Sequence, residues 1–246
     1  MYRAVIFGAT SAVAEQICRI YAQDKARLLL IGRREEALKE MCDDLSIRGA
    51  VQADYLVSDL SDLSQHQTLL ERIQTSINEP NLFIFANGTL PDQQECEESV
   101  DKTIEAINQN ALCQISLLTM IGNTLEKRKT GSIAVISSVA GDRGRMSNYV
   151  YGCAKGMLTR FLQGLRHRLS KSGVNVLDIK PGFIDTPMTA HIEPKGALWA
   201  KPEKVAQDIV KAIDSKRSVI YTPWFWRWIM LIIVSVPDFI FKKTKL

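Results

Sequence analysis

Apolar residues along the chain fall into short unbroken runs. Between the runs lie longer stretches where apolar positions recur every three or four residues. Runs at 2–7, 27–31, 51–55, 82–85, 132–136, 174–179 and 219–221 read as strands. The stretches at 11–22, 33–46, 63–77, 100–126, 148–170 and 203–213 read as helices. A strand that is apolar at every position, not every second one, is covered on both faces, the usual condition of a parallel sheet. Strand and helix alternating in this way predict a doubly wound α/β sandwich forming one domain over 1–222. The acidic DQQECEE segment after Pro91 has no period and is expected as a solvated loop. Residues 188–200, which include the lone His191, also lack a pattern and read as a mobile lid over a substrate.

The rhythm breaks at 223–246, PWFWRWIMLIIVSVPDFIFKKTKL. Of the nine residues 228–236 only Ser235 is polar. As a helix they would extend ~14 Å, about half of a bilayer core. Arg227 and Pro237-Asp238 interrupt any longer span, so a membrane-crossing helix is not expected. Tryptophans before the segment and Lys242, Lys243 and Lys245 after it suit shallow insertion beside anionic headgroups. Burial in a subunit interface or under the lid is the competing reading, because the segment has no polar face.

Composition narrows the function. At 246 residues and 46% hydrophobic, the chain can bury a core without metals or disulfides. Its five cysteines are scattered and its three histidines far apart, which predicts neither a disulfide framework nor a zinc site. No apolar leader precedes the first strand, so a reducing cytoplasm is expected, with the tail allowing contact with the inner face of the membrane. A net charge of +4 gives no nucleic-acid signal. Apolar surface in ALCQISLLTMI suggests a homodimer or homotetramer, with core packing as the alternative.

Candidate chemistry sits at strand ends. The first strand-to-helix turn, from Gly8 through Thr10, Ser11 and Val13 to Ala14, lies where a dinucleotide pyrophosphate meets backbone N–H groups and a helix N-terminus in a Rossmann-type fold. Ala12 and Ala14 stand where glycines are usual. The second strand ends at Gly32 with no acid to bind a ribose hydroxyl, and Arg33 and Arg34 follow. Guanidiniums there accommodate a 2′-phosphate, so the expected cofactor is NADP(H). After strand three, Asp59-Leu60 offers either a carboxylate for the adenine amino group or an N-cap for the next helix, with Ser61 the other cap candidate. Ala86, Asn87 and Gly88 end strand four and are small enough for a ribose to lie against the backbone. Pro181, Gly182, Ile184 and Thr186 follow strand six and fit a wall for the nicotinamide.

The stretch SVAGDRGRMSNYVYGCAK, from Ser138 to Lys155, carries the reactive groups. Tyr151 and Lys155 are four apart on a helix, hence on one face. A phenol of pKa about 10 is a poor acid near neutrality. A fixed ammonium beside it should lower that value, and the Ser138 hydroxyl could hold a carbonyl or alcohol oxygen for proton transfer. Asn110, within the long fourth helix, is expected as an amide that holds a water behind the pair, or as an interhelical or solvent-facing amide.

Taken together, the turn at Gly8, Asn110, Ser138, Tyr151 with Lys155, and Pro181-Gly182 with Thr186 resemble the short-chain dehydrogenase/reductases over nearly the whole chain. The Ser138-to-Tyr151 separation is the family's usual one, and Ala86-Asn87-Gly88 departs from its Asn-Asn-Ala-Gly. The resemblance implies a carbonyl reductase. Tyr151 gives the proton, Ser138 positions the oxygen, Lys155 binds the ribose and acidifies Tyr151, and Asn110 holds the relay water. Within the family, SSVAGDRGR, PGFIDTPMTAHI, FANGTL and the tail are similar to keto-reductases of polyprenyl-phosphate-linked 2-keto sugars. That likeness implies a lipid-linked substrate and a separate flavoprotein oxidase partner. Reduction of a soluble substrate such as a keto-acyl thioester, or non-catalytic nucleotide sensing on the same fold, are the alternatives.

Overall fold

A computed structural model describes residues 1–190, 192 and 196–244; His191 and Lys245 lie outside the described residues. The seven strands predicted all form, as β1 (Arg3–Phe7), β2 (Arg27–Gly32), β3 (Gln52–Val57), β4 (Leu82–Phe85), β5 (Ser132–Ile136), β6 (Asn175–Pro181) and, last in the sheet, the strand Val219–Thr222. They make one parallel sheet. Its order is β3-β2-β1-β4-β5-β6 followed by Val219–Thr222.

Successive residues of each strand feed two different cores. Ala4, Ile6, Leu28, Leu30 and Ile84 pack under helices α1 (Ala12–Gln23) and α2 (Glu35–Ile47), with a later helix, Pro202–Asp214, on the same side. Val5, Phe7, Leu29, Ile31 and Phe85 face α3 (His66–Ser76) and the long helices Cys113–Arg128 and Tyr149–Leu169. Two covered faces explain the unbroken apolar runs. The chain reverses its direction of winding between β1 and β4, and a crevice opens there at the carboxyl ends of the strands. The rings of Phe7 and Phe85 stack 4.3 Å apart beneath it.

Two segments differ from expectation. The acidic stretch after Pro91 is a helix, α4 (Gln93–Glu98), not a solvated loop. Asp92 caps it by accepting from the Glu95 amide at 3.0 Å, Cys96 is buried, and the Gln93 side chain accepts from the Val150 amide at 3.2 Å. A helix this short, anchored by one apolar residue, has too few turns to show a period. The long fourth helix runs as α5 (Val100–Ile107), a π-helical segment at Asn108–Leu112, and α6 (Cys113–Arg128). Helix α7 (Tyr149–Leu169) follows β5.

The patternless stretch after β6 is tied at both ends. Strand β7 (Phe183–Ile184) pairs with β8 (Trp199–Ala200), and the rings of Phe183 and Trp199 stack 5.1 Å apart. After α8 (Pro202–Asp214) and β9 (Val219–Thr222), the tail forms α9 (Trp226–Ser235) and α10 (Asp238–Phe241). One face of α9 buries Trp226 and Met230 against Val139. The other exposes Trp228, Leu231 and Ile232. Arg143 fastens the far end: its guanidinium donates to the carbonyls of Ile233 at 2.7 Å and Val236 at 2.6 Å, pairs with Asp238 at 2.9 Å, and stacks on Phe241. The Ile233 carbonyl otherwise accepts only from the Val236 amide at 3.4 Å, and a cation complements the negative end of a helix. No helix among the described residues is long and apolar enough to cross a membrane.

Candidate active site

The crevice deepens into two adjoining lobes of about 420 and 380 Å³ that share Thr10, Ser11, Asn87 and Gly88. Gly8, Arg33, Arg34, Asp59, Leu60 and Ala86 line the first lobe. Val13, Asn110, Ser138, Tyr151, Lys155, Pro181, Gly182, Ile184 and Thr186 line the second. Every candidate site residue read from the sequence therefore borders one connected space.

The first turn is shaped by Gly8. It sits at φ +72°, and a Cβ there would lie 2.5 Å from the backbone nitrogen of Asn87, so only glycine lets the ends of β1 and β4 meet. The Ser11 hydroxyl caps α1 by accepting from the Ala14 amide at 3.2 Å. Ala14 is fully buried in the core beneath the turn, and Ala12 opens the helix beside the cavity. Arg33 and Arg34 are exposed at the rim. Asp59 is not the N-cap of the next helix, and neither is Ser61. A 3-10 turn at Leu63–Gln65 leads into α3, and its cap is Asp62, which accepts from the Ser64 amide at 3.0 Å. Asp59 accepts instead from the Ser61 amide at 3.0 Å and hydroxyl at 2.8 Å. These bonds, with Arg33 nearby, hold its carboxyl below the usual range.

Ser138 follows β5, its hydroxyl accepting from the Ala140 amide at 3.1 Å. The phenol of Tyr151, in the first turn of α7, lines the same lobe, where the Ser138 hydroxyl acts to lower its pKa. One turn further on, Lys155 is buried, with Nζ 3.2 Å from the Ile136 carbonyl oxygen and 5.8 Å from the centre of the Tyr151 ring. Here a sequence expectation is corrected. Burial raises the Tyr151 pKa, opposed by the Ser138 hydroxyl, so the net shift is upward and not the downward one expected. Burial instead lowers Lys155 to about 8, with Cys113 and Asp178 acting in the opposite sense. At these positions desolvation outweighs the attraction expected from helical spacing.

Asn110 has a bracing role in addition to the one expected. It is fully buried, and both amide hydrogens are already used, on the Ala106 carbonyl at 2.9 Å and the Thr89 hydroxyl at 3.2 Å. Its oxygen accepts from the Thr89 amide at 3.0 Å. The side chain thus braces the loop after β4, while its oxygen, having accepted one bond, keeps a second lone pair for the water expected there. Gln114 adds a bond to the Asn87 carbonyl at 2.8 Å. These contacts support the loop in which Ala86-Asn87-Gly88 departs from the family pattern. The π segment turns Asn110 toward Thr89, a use of irregular helix common beside functional sites.

Below the cavity lies a buried polar layer. Ser137 donates to Asp178 at 2.5 Å, Lys180 pairs with Asp142, and the Tyr221 hydroxyl donates to Asp142 at 2.8 Å. These bonds tie β5, β6 and β9 to the loop that carries Ser138.

A family model for short chain dehydrogenases matches residues 3–197. The chain belongs to the short-chain dehydrogenase family. Across 97% of its length it is 30% identical to an uncharacterised oxidoreductase of Mycobacterium tuberculosis, covering 95% of that relative. An uncharacterised oxidoreductase of Staphylococcus aureus is 24% identical over 88% of the chain and 92% of its own length. Two solved structures share the fold. A short-chain dehydrogenase from Sphingobium yanoikuyae in complex with NADPH has a TM-score of 0.84 at 19% identity, over 97% of both chains. Actinorhodin polyketide ketoreductase with NADPH has a TM-score of 0.79 at 18% identity, over 89% of this chain and 95% of that one.

Among the residues that line the second lobe of this short-chain dehydrogenase and were not singled out in the sequence are Arg145, Asn148 and Trp226. Arg145 and Asn148 lie between Ser138 and Tyr151, and a cation in that interval was an available signal. Trp226 had none, since an indole in an apolar tail reads equally well as a membrane anchor.

Proposed function

We propose that the protein is an NADP(H)-dependent reductase that converts a carbonyl to an alcohol in the second lobe. The observation that carries this reading is the meeting of Ser138, Tyr151 and Lys155 at the inner end of a cavity whose other end is the Gly8 turn and the Arg33–Arg34 rim. The site fits a dinucleotide. Gly8 leaves room for close backbone approach, and α1 opens beside it with its N-terminal dipole. Gly32, Arg33 and Arg34 would hold the adenosine phosphate. Tyr151, Lys155 and the 181–186 turn would hold the nicotinamide half. NADPH, when bound, supplies the hydride.

The chain supplies the rest. The Ser138 hydroxyl holds the carbonyl oxygen by donating to it. Tyr151, kept protonated by its buried setting, gives that oxygen its proton as the alcohol forms. Lys155 provides the positive charge that stabilises the phenolate left behind. The finer reading is a polyprenyl-phosphate-linked 2-keto sugar as substrate, as in the keto-reductase of decaprenylphosphoryl-ribose 2′-epimerase. A separate flavoprotein oxidase would deliver the ketone. Supporting this, α9 both walls the cavity with Trp226 and exposes Trp228, Leu231 and Ile232, with Lys242 and Lys243 exposed beyond. That arrangement suits contact with an anionic membrane surface.

Tyr151→Phe tests the mechanism. NADPH oxidation across carbonyl substrates should fall about 10²–10⁴-fold while NADPH affinity, measured by fluorescence titration, changes little. A near-normal rate ends the assignment.

A further inference from the structure

The second lobe has an unbalanced charge. Among its described lining residues there is no carboxylate, and three cations are present: Arg34, Arg145 and Lys155. Arg34 lies toward the lobe shared with the cofactor end, and Lys155 belongs to the proton-transfer group. Arg145 is left on the substrate side without an assigned role.

Its surroundings give it little. The Nη2 atom donates to the thioether of Met230 at 3.3 Å, a weak acceptor. The Nε atom is buried with no hydrogen-bond partner. Asp142 is the acid whose charge reaches it, but both oxygens of Asp142 are engaged, one by Lys180 and one by the Tyr221 hydroxyl. Close by in the sequence, and lining the same lobe, Asn148 has a buried side-chain oxygen that also lacks a partner. A half-buried guanidinium with no carboxylate bonded to it costs stability, and an oxyanion that meets its fork of donors recovers much of that cost. The contact with Met230 also holds the guanidinium against α9.

We propose that Arg145 anchors an anionic group of the substrate, so that the preferred substrates are carbonyl compounds bearing a phosphate or carboxylate. Asn148 supplies an acceptor for a hydroxyl of the same molecule. This rests on the reading of the second lobe as the carbonyl site, and it narrows that reading to oxyanion-bearing substrates.

The experiment compares matched pairs in NADPH oxidation: dihydroxyacetone phosphate against dihydroxyacetone, and 2-oxobutyrate against 2-butanone. The wild type should favour at least one anionic member by tenfold or more in kcat/KM, and which pair shows it identifies the oxyanion. In Arg145→Met the preference should collapse toward unity, mainly through KM; Arg145→Lys should restore part of it. No preference in the wild type, or the same preference in Arg145→Met, overturns the inference. A second readout does not depend on turnover. Calorimetric titration with phenyl phosphate in the presence of NADPH should show binding that Arg145→Met weakens at least tenfold and Arg33→Ala leaves intact. Absent binding in the wild type, or binding unchanged in Arg145→Met, also overturns it. If phenyl phosphate binds through Arg145 but no ketone is turned over, the anion site stands and the reductase reading fails.

Discussion

The indole of Trp226 lies directly over Gly182: a Cβ on residue 182 would sit 1.9 Å from its Nε1 and 2.0 Å from its Cε2. The turn after β6 and the first residue of α9 are therefore built around each other. The indole N–H also points to the Leu198 carbonyl at 3.4 Å, and the ring meets Phe183 edge-on at 5.5 Å. One side chain from the tail thus joins the 181–184 turn to the far side of the loop that β7 and β8 close.

Gly182→Ala should force the indole out and cost about 1–3 kcal/mol, with loss of activity. Trp226→Ala alone should cost about 3–5 kcal/mol. The double variant should be less destabilised than the sum, because removing the ring makes room for the new methyl. Thermal or urea unfolding of the four proteins checks this, and simple additivity contradicts the contact. For the same reason, ending the chain before Trp226 removes a wall of the cavity as well as any membrane contact.

Membrane contact is better tested from the exposed side of α9. A Trp228→Glu, Leu231→Glu, Ile232→Glu triple variant should fold normally and lose flotation with vesicles containing anionic lipid. Its activity on a water-soluble ketone should be retained. Equal flotation of wild type and variant contradicts the role assigned to this face.

Arg33→Ala should raise the KM for NADPH at least tenfold more than the KM for NADH, because a guanidinium–phosphate bond is lost from one cofactor only. Steady-state kinetics with both cofactors decide it. An equal effect on the two removes the 2′-phosphate assignment.

Lys155 gives a pH signature. Its burial lowers it to about 8, so the charge that supports Tyr151 is present below that pH and lost above it. The kcat/KM for reduction should be level below about pH 8 and fall tenfold per unit beyond; a level profile to pH 10 contradicts the role. The stability effect follows from the same shift. Between about 8 and the unfolded value near 10.4 the unfolded chain binds the proton and the native one does not, so native stability rises with pH in that window. Lys155→Met should therefore be inactive yet more stable than wild type at pH 7, by on the order of 1 kcal/mol. That advantage should shrink toward pH 10, as read from unfolding midpoints.

The seven strands, their parallel arrangement and most helix limits were legible in the chain, because burial on two faces writes itself into consecutive residues. Ser138, Tyr151 and Lys155 were legible too, since a strand end and one helical turn fix their relation locally. Helix α4 was not, because its hold on the fold is one buried cysteine and the bond from Gln93 to Val150. The tertiary structure decided what those groups experience. Enclosure raises Tyr151 and lowers Lys155, reversing the sense that their spacing suggested. Packing also turned Asn110 to Thr89, set Arg145 beside Met230 with no carboxylate bonded to it, and brought Trp226 over Gly182. Period and spacing record how a residue relates to its own element. Desolvation and contact across elements depend on which surfaces meet, and only the folded chain sets that.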